Sequence, residues 1–310
     1  MKLLDILHNR LHEEILVLDG AMGTMIQRYE FSESDFRSDK FQDHKSDLKG
    51  NNDILNLTQP DVILEIHSKY LEAGADIIET NTFNANAISQ RDYKLENVCY
   101  DINYQAASIA KKAVDEYRSN KGKECFVAGS IGPTNQTLSM SPDVNDPSYR
   151  AISYRELYDA YYEQISGLAE GGADIILIET IFDTLNAKTA IKAASDYFDK
   201  SGVKLPVMLS GTIVDQSGRT LSGQKIDAFL VSLMHTPNLL SIGLNCSLGS
   251  AQMRPFIEEL SNLADVYTSL YPNAGLPDEL GNYNETPDFM AEVAKDYSES
   301  GYVNIIGGCC

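Results

Sequence analysis

The sequence predicts a (β/α)8 TIM barrel, on three observations. Short apolar runs alternate with amphipathic segments along the whole chain. The runs are apolar on both faces, as strands of a buried parallel sheet are. The phrase Glu72-Ala-Gly-Ala-Asp-Ile-Ile-Glu79-Thr80 recurs as Glu170-Gly-Gly-Ala-Asp-Ile-Ile-Leu-Ile-Glu179-Thr180. Each copy joins a helix end to a strand through a glycine C-cap and finishes on a carboxylate. Repeated βα units of this kind build a barrel. The 310 residues fit one barrel of about 250 residues with long loops, so residues 1–310 read as a single domain.

Strands are predicted over 15–18, 76–80, 125–130, 174–179, 206–210, 239–244, 266–270 and 303–306. Between them, 61–71, 103–117, 154–169, 185–198, 226–234, 253–263 and 287–297 carry apolar residues at i, i+3/i+4 spacing and are predicted helices. Residues 28–51 are polar and aperiodic. They read as a long first βα loop with room for a short helix. Residues 133–147, rich in Asn, Ser, Thr and Pro, read as a second long loop. Long loops at strand C-termini are where barrels keep function. Eight strands are followed by only seven helices, because the eighth strand meets the end of the sequence. The expectation is a barrel without the helix after strand 8, in a chain that is a fragment or a split gene product.

Composition narrows the functional classes. The formal net charge is −20. No basic patch is visible, which argues against nucleic-acid binding. The charge fits either solubility or an acidic face docking a basic partner domain. No apolar stretch approaches the roughly 18 residues of a membrane span. The first ten residues are charged and mixed, unlike a secretory signal. Five cysteines, an odd number, point to the reducing cytoplasm and to metal or chemistry rather than disulfides.

Three of those cysteines carry the strongest chemical signal. Gly307-Gly-Cys309-Cys310 follows the eighth strand, and Cys246 follows the sixth in Gly-Leu-Asn-Cys-Ser-Leu-Gly. In a barrel those strand ends share one rim, so the sulfurs can converge. Three thiolates suit zinc and leave its fourth position for a substrate. A substrate thiol there would lose its proton and become a nucleophile at neutral pH. The competing readings are small buried hydrophobes or a strained redox pair. Cys99, at a helix start, and Cys125, in a strand, read as core.

Other rim candidates are polar residues at strand ends. Asp19-Gly20-Ala21-Met22-Gly23-Thr24 offers backbone N–H groups to an anion such as a carboxylate, and Asp19 could orient an ammonium. A plain tight turn is the competing reading. Glu79 and Glu179 end apolar runs, where a carboxylate is costly unless paired or functional. Glu179 is the better candidate for an ammonium, and Glu79 could equally brace the rim. Asn81 and Ser130 are weaker candidates. Asn273, in Tyr-Pro-Asn-Ala-Gly, could offer an amide oxygen as a fourth metal ligand, or simply make a turn. His8 and His12 read as a solvated helix face, and Tyr154, Tyr158, Tyr161 and Tyr162 as packing.

These motifs together resemble the homocysteine S-methyltransferases. The resemblance runs through Asp19-Gly-Ala-Met-Gly-Thr, Glu79-Thr-Asn-Thr-Phe, Gly129-Ser-Ile-Gly-Pro, Glu179-Thr, Gly243-Leu-Asn-Cys246 and Gly307-Gly-Cys-Cys310, and covers essentially the whole chain. Asn51-Asn-Asp-Ile-Leu-Asn-Leu-Thr and Gly132-Pro-Thr-Asn-Gln-Thr-Leu-Ser are most similar to the N-terminal homocysteine-binding module of cobalamin-dependent methionine synthase. The resemblance implies zinc on Cys246, Cys309 and Cys310, with Asn273 as a fourth ligand in some members. It implies homocysteine with its sulfur on the metal, its amino group near Asp19 and Glu179, and its carboxylate on amides around Gly20 and Ala21. Asn81 stands with these as a substrate contact. Methylcobalamin, carried by another domain or subunit, is the implied donor, and cobalamin- and folate-binding modules are the implied partners. A small donor such as S-methylmethionine, or a non-catalytic zinc-binding role, is the alternative. The family continues past the cysteine pair into a closing helix, where this sequence departs from it.

Overall fold

The computed structural model describes residues 3–279 and 283–310. In chain order its helices and strands are α1 (Leu3–Glu13), β1 (Leu16–Val17), α2 (Met22–Gln27), α3 (Glu33–Arg37), α4 (Leu55–Thr58), α5 (Pro60–Ala73), β2 (Ile77–Glu79), α6 (Cys99–Lys121), β3 (Phe126–Ile131), α7 (Tyr154–Gly171), β4 (Ile175–Ile181), α8 (Thr184–Ser201), β5 (Val207–Gly211), α9 (Ile226–Leu233), β6 (Leu239–Gly249), α10 (Arg254–Leu263), β7 (Tyr267–Asn273), α11 (Pro287–Glu299) and β8 (Ile305–Ile306). The strands form one parallel sheet in the order β1-β8-β7-β6-β5-β4-β3-β2. A bridge between Leu18 and Ile77 brings β1 back to β2. The sheet is therefore a nearly closed (β/α)8 barrel, as predicted.

The helices start and stop where local chemistry requires. Ser153 and Glu156 form a reciprocal capping box on α7, Asp183 caps α8, and Thr286 caps α11. Gly74 and Gly172, the glycines of the repeated phrase, end α5 and α7 at φ of 112° and 106°. Only glycine adopts that conformation without strain.

Strand alternation sorts side chains between two cores. Ile176 and Ile178 point outward and pack under α7 and α8, within the cluster that fills the space between sheet and helices. Ile175 and Leu177 point inward and join Leu16, Phe126, Met208 and Ile305 in the lower barrel. Helix α1 plugs this lower end with Leu7 and Leu11, a role its charged sequence does not advertise. His8, read as solvated, instead lies half-buried with Nδ1 3.4 Å from the Tyr267 hydroxyl, and only His12 is exposed. The tyrosines of α7 stack as packing, with Tyr154–Tyr158 and Tyr158–Tyr162 centroids 6.4 and 6.0 Å apart. Cys99 and Cys125 are buried.

One part of the ring is thin. β1 and β8 pair through two residues each, and Val17, on the outer face of β1, is 43 % exposed. Val17, Tyr70, Ala73, Met290, Ala294 and Ile306 line an open, mostly apolar groove of about 460 Å³ between α5 and α11.

Candidate active site

Inward alternation continues to the C-terminal ends of the strands, where it delivers polar residues. Glu79 follows Ile77, Ser130 follows Ala128, Glu179 follows Leu177, and Ser210 follows Met208 on the same faces. Glu79, Ser130 and Glu179, with Tyr271, floor a cavity of about 370 Å³ at the C-terminal end of the barrel. Its walls include Gly20, Ala21, Asn81, Cys246, Cys309 and Cys310.

The cysteines converge as their strand ends suggest. The three sulfurs lie within 4.8 Å of one another, and Cys309 Sγ to Cys310 Sγ is 3.9 Å. Tetrahedral zinc with sulfur at about 2.3 Å needs sulfurs about 3.8 Å apart, so the set fits that ion with small closure. Cys246 does not follow its strand as predicted. β6 runs on to Gly249, but with a register break between Asn245 and Gly249. Cys246 and Ser247 there adopt φ of 60° and 66°, which turns Cys246 into the cavity rim.

The Gly307–Cys310 tail is held residue by residue. Gly307 N donates to Leu270 O (3.0 Å), Gly308 N to Asp19 O (3.2 Å) and Cys309 N to Pro272 O (2.9 Å). A Cβ at position 307 would lie 2.8 Å from Leu18 Cβ, so glycine is required for this approach. Asn273, the last residue of β7, accepts from Cys310 N at 3.2 Å through Oδ1, so its amide oxygen aligns the cysteine pair.

The thiols perturb one another's acidity. S–H donation from Cys246 and Cys309 pushes the Cys310 thiol down to about 3, and the same contacts push Cys309 well up. Mutual contact thus splits the acidities of three thiols that loss of their protons would free to hold one cation.

Beside the sulfurs stand three carboxylates. Asp19 is 5 % exposed; its Oδ2 accepts from Glu79 N at 3.0 Å, while Oδ1 is buried without a partner. Glu179 accepts from the Ser130 hydroxyl (2.5 Å) and from Asn245 Nδ2 (3.3 Å). Burial raises Asp19 and Glu79 well above the carboxylate range, and the charges of their neighbours add to it. Burial pushes Glu179 up to about 7, against the pull of the Ser130 hydroxyl. A cluster of carboxylates at this cost calls for a cationic ligand. Asn81 lines the same cavity, but its Nδ2 is spent on Asn52 O at 2.7 Å.

The structure adds residues that the sequence pattern does not single out. Asn245 and Thr180 brace Glu179, and Tyr271 floors the cavity with its hydroxyl unpartnered. Asp53, quoted above only within the Asn51–Thr58 segment, lines the cavity and is buried. An aspartate or asparagine inside an otherwise apolar stretch was the available signal.

The family model for homocysteine S-methyltransferase matches residues 16–310, and the chain belongs to that family. Among solved structures, it is similar to the homocysteine methyltransferase MmuM from Escherichia coli. The oxidized form is 20 % identical with a TM-score of 0.76, covering 100 % of this chain and 95 % of that one. The metallated form is 21 % identical with a TM-score of 0.72 over the same shares. At this identity the likeness speaks for the fold. Among the described residues, no helix is long and apolar enough to cross a membrane.

Proposed function

We propose that this protein transfers a methyl group to the sulfur of homocysteine on a zinc ion held by Cys246, Cys309 and Cys310, forming methionine. One observation carries the reading. Three mutually close sulfurs and the buried carboxylates of Glu79 and Glu179 line one cavity, which suits a ligand that is a thiol at one end and an ammonium at the other. Zinc bound there supplies a Lewis acid that holds a thiol as thiolate near neutral pH.

The remaining work falls to the chain. Asp19 and Glu179 take the ammonium, and Glu79 braces Asp19 through its backbone N–H. Backbone N–H groups around Gly20 and Ala21 take the carboxylate, with Asn81 beside them. The substrate thiol loses its proton to solvent. Its sulfur then forms a bond to the methyl carbon as the donor's bond to that carbon breaks, leaving the electron pair on the donor. Holding both ends of the substrate supplies orientation, and no general base is needed at that step.

Methylcobalamin is the proposed donor, presented by a cobalamin-binding domain or subunit, with a folate-binding partner upstream. The support is local: Asn52 and Asp53, from the segment most similar to the methionine synthase module, form part of the cavity wall. The reducing cytoplasm is the compartment this thiol chemistry requires. The test is metal analysis and homocysteine titration of the purified chain, then methionine production from methylcobalamin and from S-methylmethionine supplied separately. Protein without stoichiometric zinc, or zinc indifferent to homocysteine, refutes the site. Turnover with S-methylmethionine alone reassigns the donor.

A further inference from the structure

Asn245 is wholly buried and uses its entire hydrogen-bonding capacity. Its Oδ1 accepts from Ser210 Oγ (2.7 Å) and from Thr180 N (3.0 Å). Its Nδ2 donates to Thr180 Oγ1 (2.8 Å) and to Glu179 Oε2 (3.3 Å). Two irregular strand ends meet on this one amide. On β4 the pairing with β5 slips between Ile178 and Ile181, and Thr180 sits at φ 53°. A β-branched residue adopts that conformation only when something holds it. On β6 the pairing slips just after Asn245, and the next residue is Cys246. The side chain grips Glu179 and Thr180, while its backbone is joined directly to a cysteine of the sulfur cluster.

We infer that Asn245 is a positioning residue that fixes the span between the Glu179 carboxylate and the Cys246 sulfur, and so selects the aminothiol by its carbon count. The inference rests on the proposed binding of homocysteine by sulfur at one end and ammonium at the other. Homocysteine and cysteine carry the same end groups and differ by one methylene between them. A site that holds both ends rigidly separates the two; a site free to shorten does not. Truncating Asn245 frees Glu179 and Thr180 to move but leaves all three thiols in place.

The test titrates zinc-loaded wild type, Asn245→Ala and Ser210→Ala with homocysteine, cysteine and 4-mercaptobutanoate, which is homocysteine without its amino group. Zinc content and melting temperature are recorded for each. Asn245→Ala is expected to keep its zinc and to lose about tenfold or more in homocysteine affinity, the range of a bond to a charged group. Its affinity for 4-mercaptobutanoate should hold, and its preference for homocysteine over cysteine should collapse. Ser210→Ala removes one of the four bonds and should lower that preference by a smaller factor, which provides the test if Asn245→Ala does not fold. An unchanged preference in folded, zinc-loaded variants, or equal weakening of all three thiols, overturns the inference. The parent reading fails separately, in the wild type, if homocysteine binds no better than 4-mercaptobutanoate.

Discussion

Glu179 shows how much of the site a single residue reveals before the fold is known. A carboxylate ending an apolar run has few structural uses, so its sequence position already suggested an ammonium partner. Glu179→Gln keeps the shape but removes the charge, worth roughly 1.5–3 kcal/mol in a charge-assisted bond. Homocysteine affinity should fall by about one to two orders of magnitude with zinc content unchanged. Loss of zinc in this variant, measured by metal analysis, would make Glu179 a brace of the rim instead. The three cysteines were legible for a similar reason, since a glycine-framed pair and a third thiol at one barrel rim are rarely needed for packing alone. Asn245 and Thr180 were not, because their roles depend on backbone irregularities that only the assembled barrel imposes. Asp53 was given no role of its own from the sequence and is a buried carboxylate whose Oδ1 accepts from Asn84 N at 2.9 Å. Burial pushes it up to about 7, above its value in the unfolded chain. Its contribution to stability is therefore full below the unfolded carboxylate range, near pH 4, and is lost as pH rises through about 7. Asp53→Asn keeps an acceptor and never ionises. It should melt above wild type at about pH 8, with the gap narrowing toward about pH 5. A gap independent of pH would mean that Asp53 does not ionise in that window.

Helices and strands were legible to within a few residues wherever period or apolar character continued. α7 and α11 begin at the predicted residues, and the glycine C-caps of α5 and α7 stand where the repeated phrase placed them. Legibility failed where polarity masked regular structure. β6 was cut short at its Asn-Cys-Ser segment, and α4, in the Asn-rich stretch after the first loop, had no clear period. Close helix packing was also invisible in the sequence. α7 crosses α6 through Gly167 and Gly171. A Cβ on Gly167 would lie 2.8 Å from Tyr100 O and 2.9 Å from Asn103 Cβ, and one on Gly171 would meet Tyr104 O. A backbone carbonyl cannot swing aside as a flexible side chain can. Gly167→Ala gains about 1 kcal/mol of helix propensity in isolation. Here overpacking should win and destabilise the protein by about 1–3 kcal/mol. Denaturant unfolding gives the sign: a variant more stable than wild type would show that α6 and α7 can separate at little cost.

At the scale of the molecule, ring closure and metal site meet at the same strand. β6 pairs with β7 through Ser241–Asn245, and again at Gly249 with Asn273. β8 pairs with β1 through Leu16–Ile305 and Val17–Ile306, and a bridge between Leu18 and Ile77 joins β1 to β2. The thinnest part of the barrel thus leads directly into Cys309 and Cys310. A metal shared with Cys246 would tie the end of β8 to the end of β6 across β7. Binding to the folded state alone stabilises by about 4 kcal/mol when the ligand is at a thousand times its Kd. Zinc should therefore raise the melting temperature, and Cys246→Ser, Cys309→Ser or Cys310→Ser should each abolish most of that rise. The gain should also be local. The amides of Gly307, Gly308 and Cys309 bond to β7 and to Asp19, so hydrogen exchange there should slow on zinc addition. Amides of β3 and β4, already buried under α6, α7 and α8, should exchange as before. Uniform slowing throughout the barrel would mean that the metal stabilises the fold globally. No slowing at the tail, with zinc bound, would place the metal away from Cys309 and Cys310.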